Sequence, residues 1–168
     1  MTPHYVDNFL SNEDLQTVKN IVLDENFAWY WNDKVYDDTE LLNDKKNFYF
    51  SHILYLNEPK SNFYYNLIDF FWSKMEIKAL SRIKVNCYPN NIFFEHGYHF
   101  DRPYPHKGAI FCLNTCDGYT RIGDEKIPSV ANRMILFDPS VPHTSTSTSD
   151  SKYRMNINLN MVKLADWE

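Results

Sequence analysis

The sequence predicts a mostly β fold with supporting α-helices, a β-sandwich or jelly roll buttressed by helices in its N-terminal half. Three observations predict it. Apolar residues recur at helical spacing in two stretches before residue 76, then alternate in short stretches from residue 82 onward. Aromatics reach 17% of the chain, with 12 Tyr and 12 Phe, which suits short strands. Helices come first and strands afterwards, with no repeat, low-complexity linker or composition break between them.

Taken in order, Ser11 opens the first helix as its cap, and Asp14 stands where a capping box would carry Glu or Gln. Leu15, Val18 and Val22 carry the apolar stripe to about Asp24. Residues 27–49, beginning FAWYWNDKVYDD, mix aromatics with acids. They read either as a substrate-facing flap or as a surface loop anchored by its aromatics. "FYFSHILYLN" is a strand that stops before Glu58-Pro59. A second helix starts near Ser61, with Tyr64, Leu67, Ile68, Phe71 and Met75 on one stripe, as a scaffold helix packed on a sheet would have. "RIKVNCY" then sets Ile83, Val85 and Cys87 against Lys84, Asn86 and Tyr88 on opposite faces. "KGAIFCLN", "RMILFDP" and "YRMNINLNMV" come next as strands, with turn chemistry at Asn90-Asn91, Asp117-Gly118 and Asp138-Pro139.

Composition excludes several function classes. A length of 168 residues suits one domain, 1–168, large enough to fold without staples. No apolar run approaches the ~18 residues of a membrane span, and the start MTPHYVDNFLSNEDL is not that of a signal peptide. The expectation is a soluble, cytoplasmic protein with no membrane partner. The net charge is −5 and Lys45-Lys46 is the notable basic pair, so nucleic acid is not an expected partner. Three cysteines, Cys87, Cys112 and Cys116, lack CxxC spacing and read as reduced thiols, although Cys112-x-x-x-Cys116 has zinc-compatible ligands. Four glycines and no GxGxxG or GxxxxGK[ST] leave no phosphate-cradling loop.

The chemistry concentrates in "EHGYHFDRPYPH" and in the strands downstream of it. His99 and Asp101 are two residues apart, so on a strand end they face the same way and can reach one metal ion. A His-x-Asp pair alone is common by chance, and the context is what gives it weight. His143 comes just after the strand-like "RMILF", and Arg154 opens the next strand. Two histidines and one carboxylate on adjacent strands make the facial triad of non-haem Fe(II) oxygenases, with positions left open for a co-substrate and O₂. A nearby arginine can hold a remote carboxylate in bidentate fashion. His96 and His106 flank the motif and read as surface residues.

The run from about Arg82 to Asn160 resembles the double-stranded β-helix (cupin-like jelly roll) of Fe(II)/2-oxoglutarate-dependent dioxygenases, in particular the prolyl-hydroxylase-like branch. "NCYPNN" resembles that branch's Tyr-Pro segment, "HFD" its metal motif and "AIFCLN" its next core strand. "DGYTRI" resembles the following turn, "NRMILFDPSVPH" the strand leading to the distal histidine, and "YRMNINLN" the strand with the co-substrate arginine. The resemblance implies a helical support over about 1–80 and a metal-binding core over about 82–162. It implies His99, Asp101 and His143 as iron ligands and as the catalytic centre. It implies that Arg154 pairs with the distal carboxylate of 2-oxoglutarate, that Tyr88 hydrogen-bonds it, and that Asn156 adds a polar contact.

The implied activity is hydroxylation of a C–H bond, of a prolyl, peptidyl or amino-acid substrate, with release of succinate and CO₂ and with ascorbate as a candidate reductant. Asp101 favours hydroxylation, because halogenating relatives lack the carboxylate. The nucleic-acid-dealkylating branch carries a second arginine six residues after the first, and here that position is Asn160. The chain departs from its relatives at Cys112, where many carry a tyrosine touching the same carboxylate, and in the longer "TSTSTSDS" turn before Arg154. Two rival readings stand beside this one. A cupin-like metal enzyme, such as an isomerase that does not use 2-oxoglutarate, would need the metal ligands but not Arg154. A non-catalytic β-sandwich binding module would need neither.

Overall fold

The computed structural model describes residues 2–35 and 47–163, so the centre of the 27–49 segment that was the expected flap, residues 36–46, lies outside the described residues. In chain order the elements are β1 (His4–Val6), α1 (Asn12–Val22), β2 (Tyr30–Asn32), β3 (Tyr49–Leu56), α2 (Phe63–Leu67), α3 (Asp69–Trp72), β4 (Ile77–Pro89), β5 (Lys107–Cys112), β6 (Tyr119–Ile122), β7 (Glu125–Pro128), β8 (Arg133–Phe137), β9 (His143–Ser145) and β10 (Tyr153–Lys163). Seven strands form one sheet in the order β1-β8-β5-β10-β4-β3-β2, and three form a second in the order β7-β6-β9. All their pairings are antiparallel. No described helix is long and apolar enough to cross a membrane.

Helix α1 begins as its cap chemistry dictates, with Ser11 Oγ accepting the Asp14 N–H at 3.0 Å. Val18 and Val22 are completely buried, and Leu15 packs at the edge of the same cluster. The expected second helix is instead two short ones, α2 and α3, joined at Ile68. The stretch NFYYNLIDFFW is rich in aromatics, Asn and Asp, which are mediocre helix formers, so tertiary packing rather than propensity holds it. Its stripe still faces inward, with Leu67, Ile68, Phe71 and Met75 buried.

The large sheet has two unlike faces, and strand alternation decides which residue goes where. Ile83 and Val85 of β4, Ala109 and Phe111 of β5, and Met155, Ile157, Leu159 and Met161 of β10 pack under the helices in one large apolar cluster. On the other face, Ile110 and Cys112 join Ile122, Ile127, Ile135 and Phe137 in a smaller cluster between the sheets. The remainder of that second face is polar. Lys84, Asn86 and Tyr88 of β4 lie beside Asn156 and Asn158 of β10 and line a pocket between the two sheets.

Candidate active site

The HFD motif does not sit on a regular strand. His99 forms an isolated bridge with His143, each backbone N–H donating to the other's carbonyl, at 2.9 and 3.0 Å. Asp101 N–H donates to Pro139 O at 3.0 Å. The segment is thus laced to the turn before β9, and the i, i+2 alternation survives. Phe100 is left 55% exposed, while the Asp101 side chain retains 6% of its exposure. One ligand atom from each of His99, Asp101 and His143 lies within 4.8 Å of the others.

Protonation favours metal binding. His143 Nδ1–H donates to Val141 O at 2.9 Å, which leaves the Nε2 lone pair facing the cluster. That Nε2 is buried without a hydrogen bond and lies 3.9 Å from Asp101 Oδ1. Burial pushes His99 down to about 4, helped by the neighbouring His143, and burial likewise lowers His143. Burial would raise the Asp101 carboxyl. Arg82 at 2.7 Å from Oδ1 and the Asn160 amide donating to Oδ2 at 3.0 Å overcome it and hold the group well below the usual carboxylate range. Two neutral imidazoles and one carboxylate are therefore present together at neutral pH, which is the donor set and charge state a divalent iron takes.

Behind Tyr88 and Thr120 of the pocket wall, Arg154 is completely buried. Its Nη2 donates to Thr120 Oγ1 at 2.8 Å and its Nη1 to Thr146 O at 3.3 Å, while Nε is left without a partner. No described carboxylate pairs with it. The guanidinium carbon stands 5.4 Å from the centre of the Tyr88 ring, and the two residues are cross-strand partners. Asn156 faces Asn86, whose amide donates to its Oδ1 at 2.9 Å, and both line the pocket.

Several positions around the site escaped sequence reasoning. Arg82, Lys84 and Asn160 line or brace the site, although the alternation in "RIKVNCY" and "NINLN" already put all of them on one face. Thr120 and Thr146 carried no readable signal. His96 and His106 correct the surface reading, because they are 3% and 6% exposed. His96 packs against Tyr88 and Phe94, and burial, reinforced by Arg154 and His99, pushes it down to about 3. His106 Nε2 lies 2.6 Å from Asn160 Oδ1 and its Nδ1 2.9 Å from Tyr104 O, so the ring braces the amide that holds Asp101. Cys112 is buried in the inter-sheet cluster, and its thiol is raised by that burial. All three cysteines are free.

No protein-family model and no curated protein matches the sequence. Solved structures match in fold. The chain is similar to a prolyl-4-hydroxylase of Pseudomonas putida, at 10% identity and a TM-score of 0.60, over 97% of this chain and 93% of that one. It is similar to the viral collagen prolyl hydroxylase of Paramecium bursaria Chlorella virus-1, at 13% identity and a TM-score of 0.56, over 98% and 97%. It is also similar to SnoN, the non-haem α-ketoglutarate-dependent epimerase of nogalamycin biosynthesis, at 11% identity and a TM-score of 0.70, over 96% and 77%. At these identities the likeness establishes fold. The architecture is the jelly roll shared with 2-oxoglutarate and Fe(II) oxygenases, as the sequence resemblance implied.

Proposed function

We propose that this chain, as one oxygenase domain over residues 1–168, is an Fe(II)- and 2-oxoglutarate-dependent oxygenase that hydroxylates a C–H bond of a prolyl, peptidyl or amino-acid substrate. Arg154 carries the reading. A guanidinium with 0% exposure and no acidic partner among the described residues is costly to keep. Its place behind Tyr88 and Thr120, two walls of the pocket that presents His99, Asp101 and His143, suits an anion that arrives from outside. The distal carboxylate of 2-oxoglutarate is such an anion.

In this reading His99, Asp101 and His143 hold Fe(II), and Arg154, Tyr88 and Thr120 hold the far end of the co-substrate. Bound Fe(II) with 2-oxoglutarate supplies O₂ activation coupled to release of CO₂ and succinate, with ascorbate as a candidate reductant. The chain's own residues position and neutralise. Arg82 and Asn160 keep Asp101 ionised and aimed, Val141 O fixes the His143 tautomer, and the buried Tyr88 ring closes one wall. Proteins of like fold agree in type: the viral collagen prolyl hydroxylase is described as a 2OG complex, and SnoN in complex with Fe3+ and alpha ketoglutarate.

SnoN favours a second outcome for the same machinery, epimerisation, since it shares the fold at a TM-score of 0.70. Product mass separates the two, because hydroxylation adds an oxygen atom and epimerisation leaves the mass unchanged. The oxygenase reading itself is tested by mixing the protein anaerobically with Fe(II) and 2-oxoglutarate. The weak visible charge-transfer band of the chelated co-substrate is expected in the wild type and lost in His99→Ala. No band, or a band that His99→Ala leaves undiminished, rejects it in favour of a 2-oxoglutarate-independent cupin-like enzyme or a binding module.

A further inference from the structure

The pocket is cationic in an acidic protein. The chain carries 22 acidic against 17 basic residues, yet the charged residues among the described pocket lining are Arg82, Lys84 and one acid, Asp101. Arg154 adds a third cation immediately behind the wall. The cross-strand register orders them along the groove. Tyr88 pairs with Arg154, Asn86 with Asn156, Lys84 with Asn158 and Arg82 with Asn160. Lys84 therefore sits two cross-strand pairs beyond Arg154, on the side of the groove where Arg82 reaches Asp101.

Lys84 is the group the rest of the site does not use. Its Nζ donates to Tyr49 Oη at 3.2 Å and lies 5.2 Å from the centre of that ring. No described carboxylate lies within ion-pairing distance of it. Burial lowers the Lys84 ammonium, and Arg82 acts in the same direction. Arg82 spends one nitrogen on Asp101, and its Nε is buried without a partner. Tyr49 also stacks on Tyr88 at 5.5 Å, which holds the hydroxyl that Lys84 touches.

We infer that the pocket takes a substrate carrying a small anionic group, carboxylate or phosphate, seated against Lys84 beside Arg82. The inference rests on the oxygenase reading for what fills the Arg154 end. With Fe(II) and 2-oxoglutarate in place, the charges of the metal and the co-substrate cancel. Arg82 and Lys84 in the lining and Arg154 behind it are then balanced by Asp101 alone among the described charged residues there, so with Lys84 protonated two positive charges are left over. A buried excess of that size in a low-dielectric groove favours one further anion. The polar floor of Asn86, Asn156 and Asn158 offers that anion hydrogen bonds and no competing negative charge.

The test uses the full chain loaded with Zn(II), a redox-inert stand-in for Fe(II), with two calorimetric titrations in sequence. The first adds 2-oxoglutarate and reports on the oxygenase reading alone. The second adds acetate, or methyl phosphate, to the protein saturated with 2-oxoglutarate. Saturable binding of one equivalent is expected, and the tighter probe tells carboxylate from phosphate. Lys84→Met is expected to weaken that binding about tenfold or more, the loss typical of one charge-assisted hydrogen bond, and Lys84→Arg to retain it. No second-site binding in the wild type overturns the inference without any variant. Binding that is equal in the wild type and Lys84→Met overturns it too, as does a Lys84→Met effect confined to the 2-oxoglutarate titration. A protein that fails the first titration fails the oxygenase reading instead.

Discussion

The backbone of Gly118 passes so close to Arg154 that a Cβ at Gly118 would stand 2.5 Å from Arg154 Cδ and 2.8 Å from Ser147 O. The fully buried arginine is thereby held from below by a residue with no side chain, and from the side by Thr120 Oγ1. Gly118→Ala must displace the arginine or the Ser147 backbone. It is expected to destabilise the fold by about 1–3 kcal/mol and to weaken 2-oxoglutarate binding about tenfold, although it touches no ligand. Thermal melting and a 2-oxoglutarate titration check the two effects. Full affinity in Gly118→Ala would show that the arginine does not need this seat.

Arg154→Met separates a binding arginine from a structural one. Removing a buried, acid-free guanidinium is expected to leave the ligand-free protein as stable as the wild type or more so. It is expected to raise the 2-oxoglutarate requirement on the order of 100-fold, because a truncated charge pair costs that much or more. Arg154→Lys recovers part of the affinity, since one ammonium replaces a two-nitrogen fork. A large fall in melting temperature together with an unchanged 2-oxoglutarate requirement would assign Arg154 to the scaffold.

Asn160 donates to Asp101 Oδ2 at 3.0 Å and its Oδ1 lies 2.6 Å from His106 Nε2, so His106 and Asn160, 54 positions apart in the chain, together orient one carboxylate oxygen. Asn160→Ala is expected to lower divalent-metal affinity by about 10- to 100-fold, the usual cost of losing a group that orients a metal ligand. Competition for Zn(II) against a chelating dye measures it. His106→Phe removes the far member of the chain, and a smaller loss is expected from it.

Acid is expected to destabilise the metal-free protein in a defined window. His96 is pushed down to about 3 and His99 to about 4, both by burial first, from 6.5. Between pH 6.5 and about 4 the unfolded chain takes up protons that the folded chain refuses, so stability falls as pH falls. The loss is on the order of 3 kcal/mol per histidine. Asp101 is depressed by Arg82 and Asn160 against the effect of burial, and it adds a loss in the same direction below 3.8. Urea unfolding at stepped pH measures the curve. His96→Phe should flatten it, and an identical slope in that variant would remove His96 from the account.

Much of the fold was legible because strand signals are local. "RIKVNCY" and "YRMNINLNMV" alternate residue by residue, and the structure sends Ile83, Val85, Ile157 and Leu159 to the helical side and Lys84, Asn86, Asn156 and Asn158 to the pocket side. The Ser11 cap was legible for the same reason, since cap and donor are three residues apart. The break at Ile68 was not, because a continuous apolar stripe looks the same for one helix as for two short ones. The burial of His96 and His106 was not legible either. Exposure depends on where a loop lies, and this loop is drawn inward by the bridges Glu95↔Thr146 and His99↔His143.

The sequence by itself determined the strand pattern, the two unlike faces of the main sheet, and the order in which His99, Asp101, His143 and Arg154 follow that pattern along the chain. Those come from period-two alternation and short turns, which are encoded within a few residues. Tertiary structure alone decided the surroundings. Arg82 and Asn160 meet Asp101, Thr120 meets Arg154, and Gly118 slides beneath it, because antiparallel pairing and the stacking of two sheets bring distant segments together. Charge balance was decided there as well. A count over the whole chain is negative, while the fold lines the pocket with Arg82, Lys84 and a single described carboxylate, Asp101, and sets Arg154 behind Tyr88.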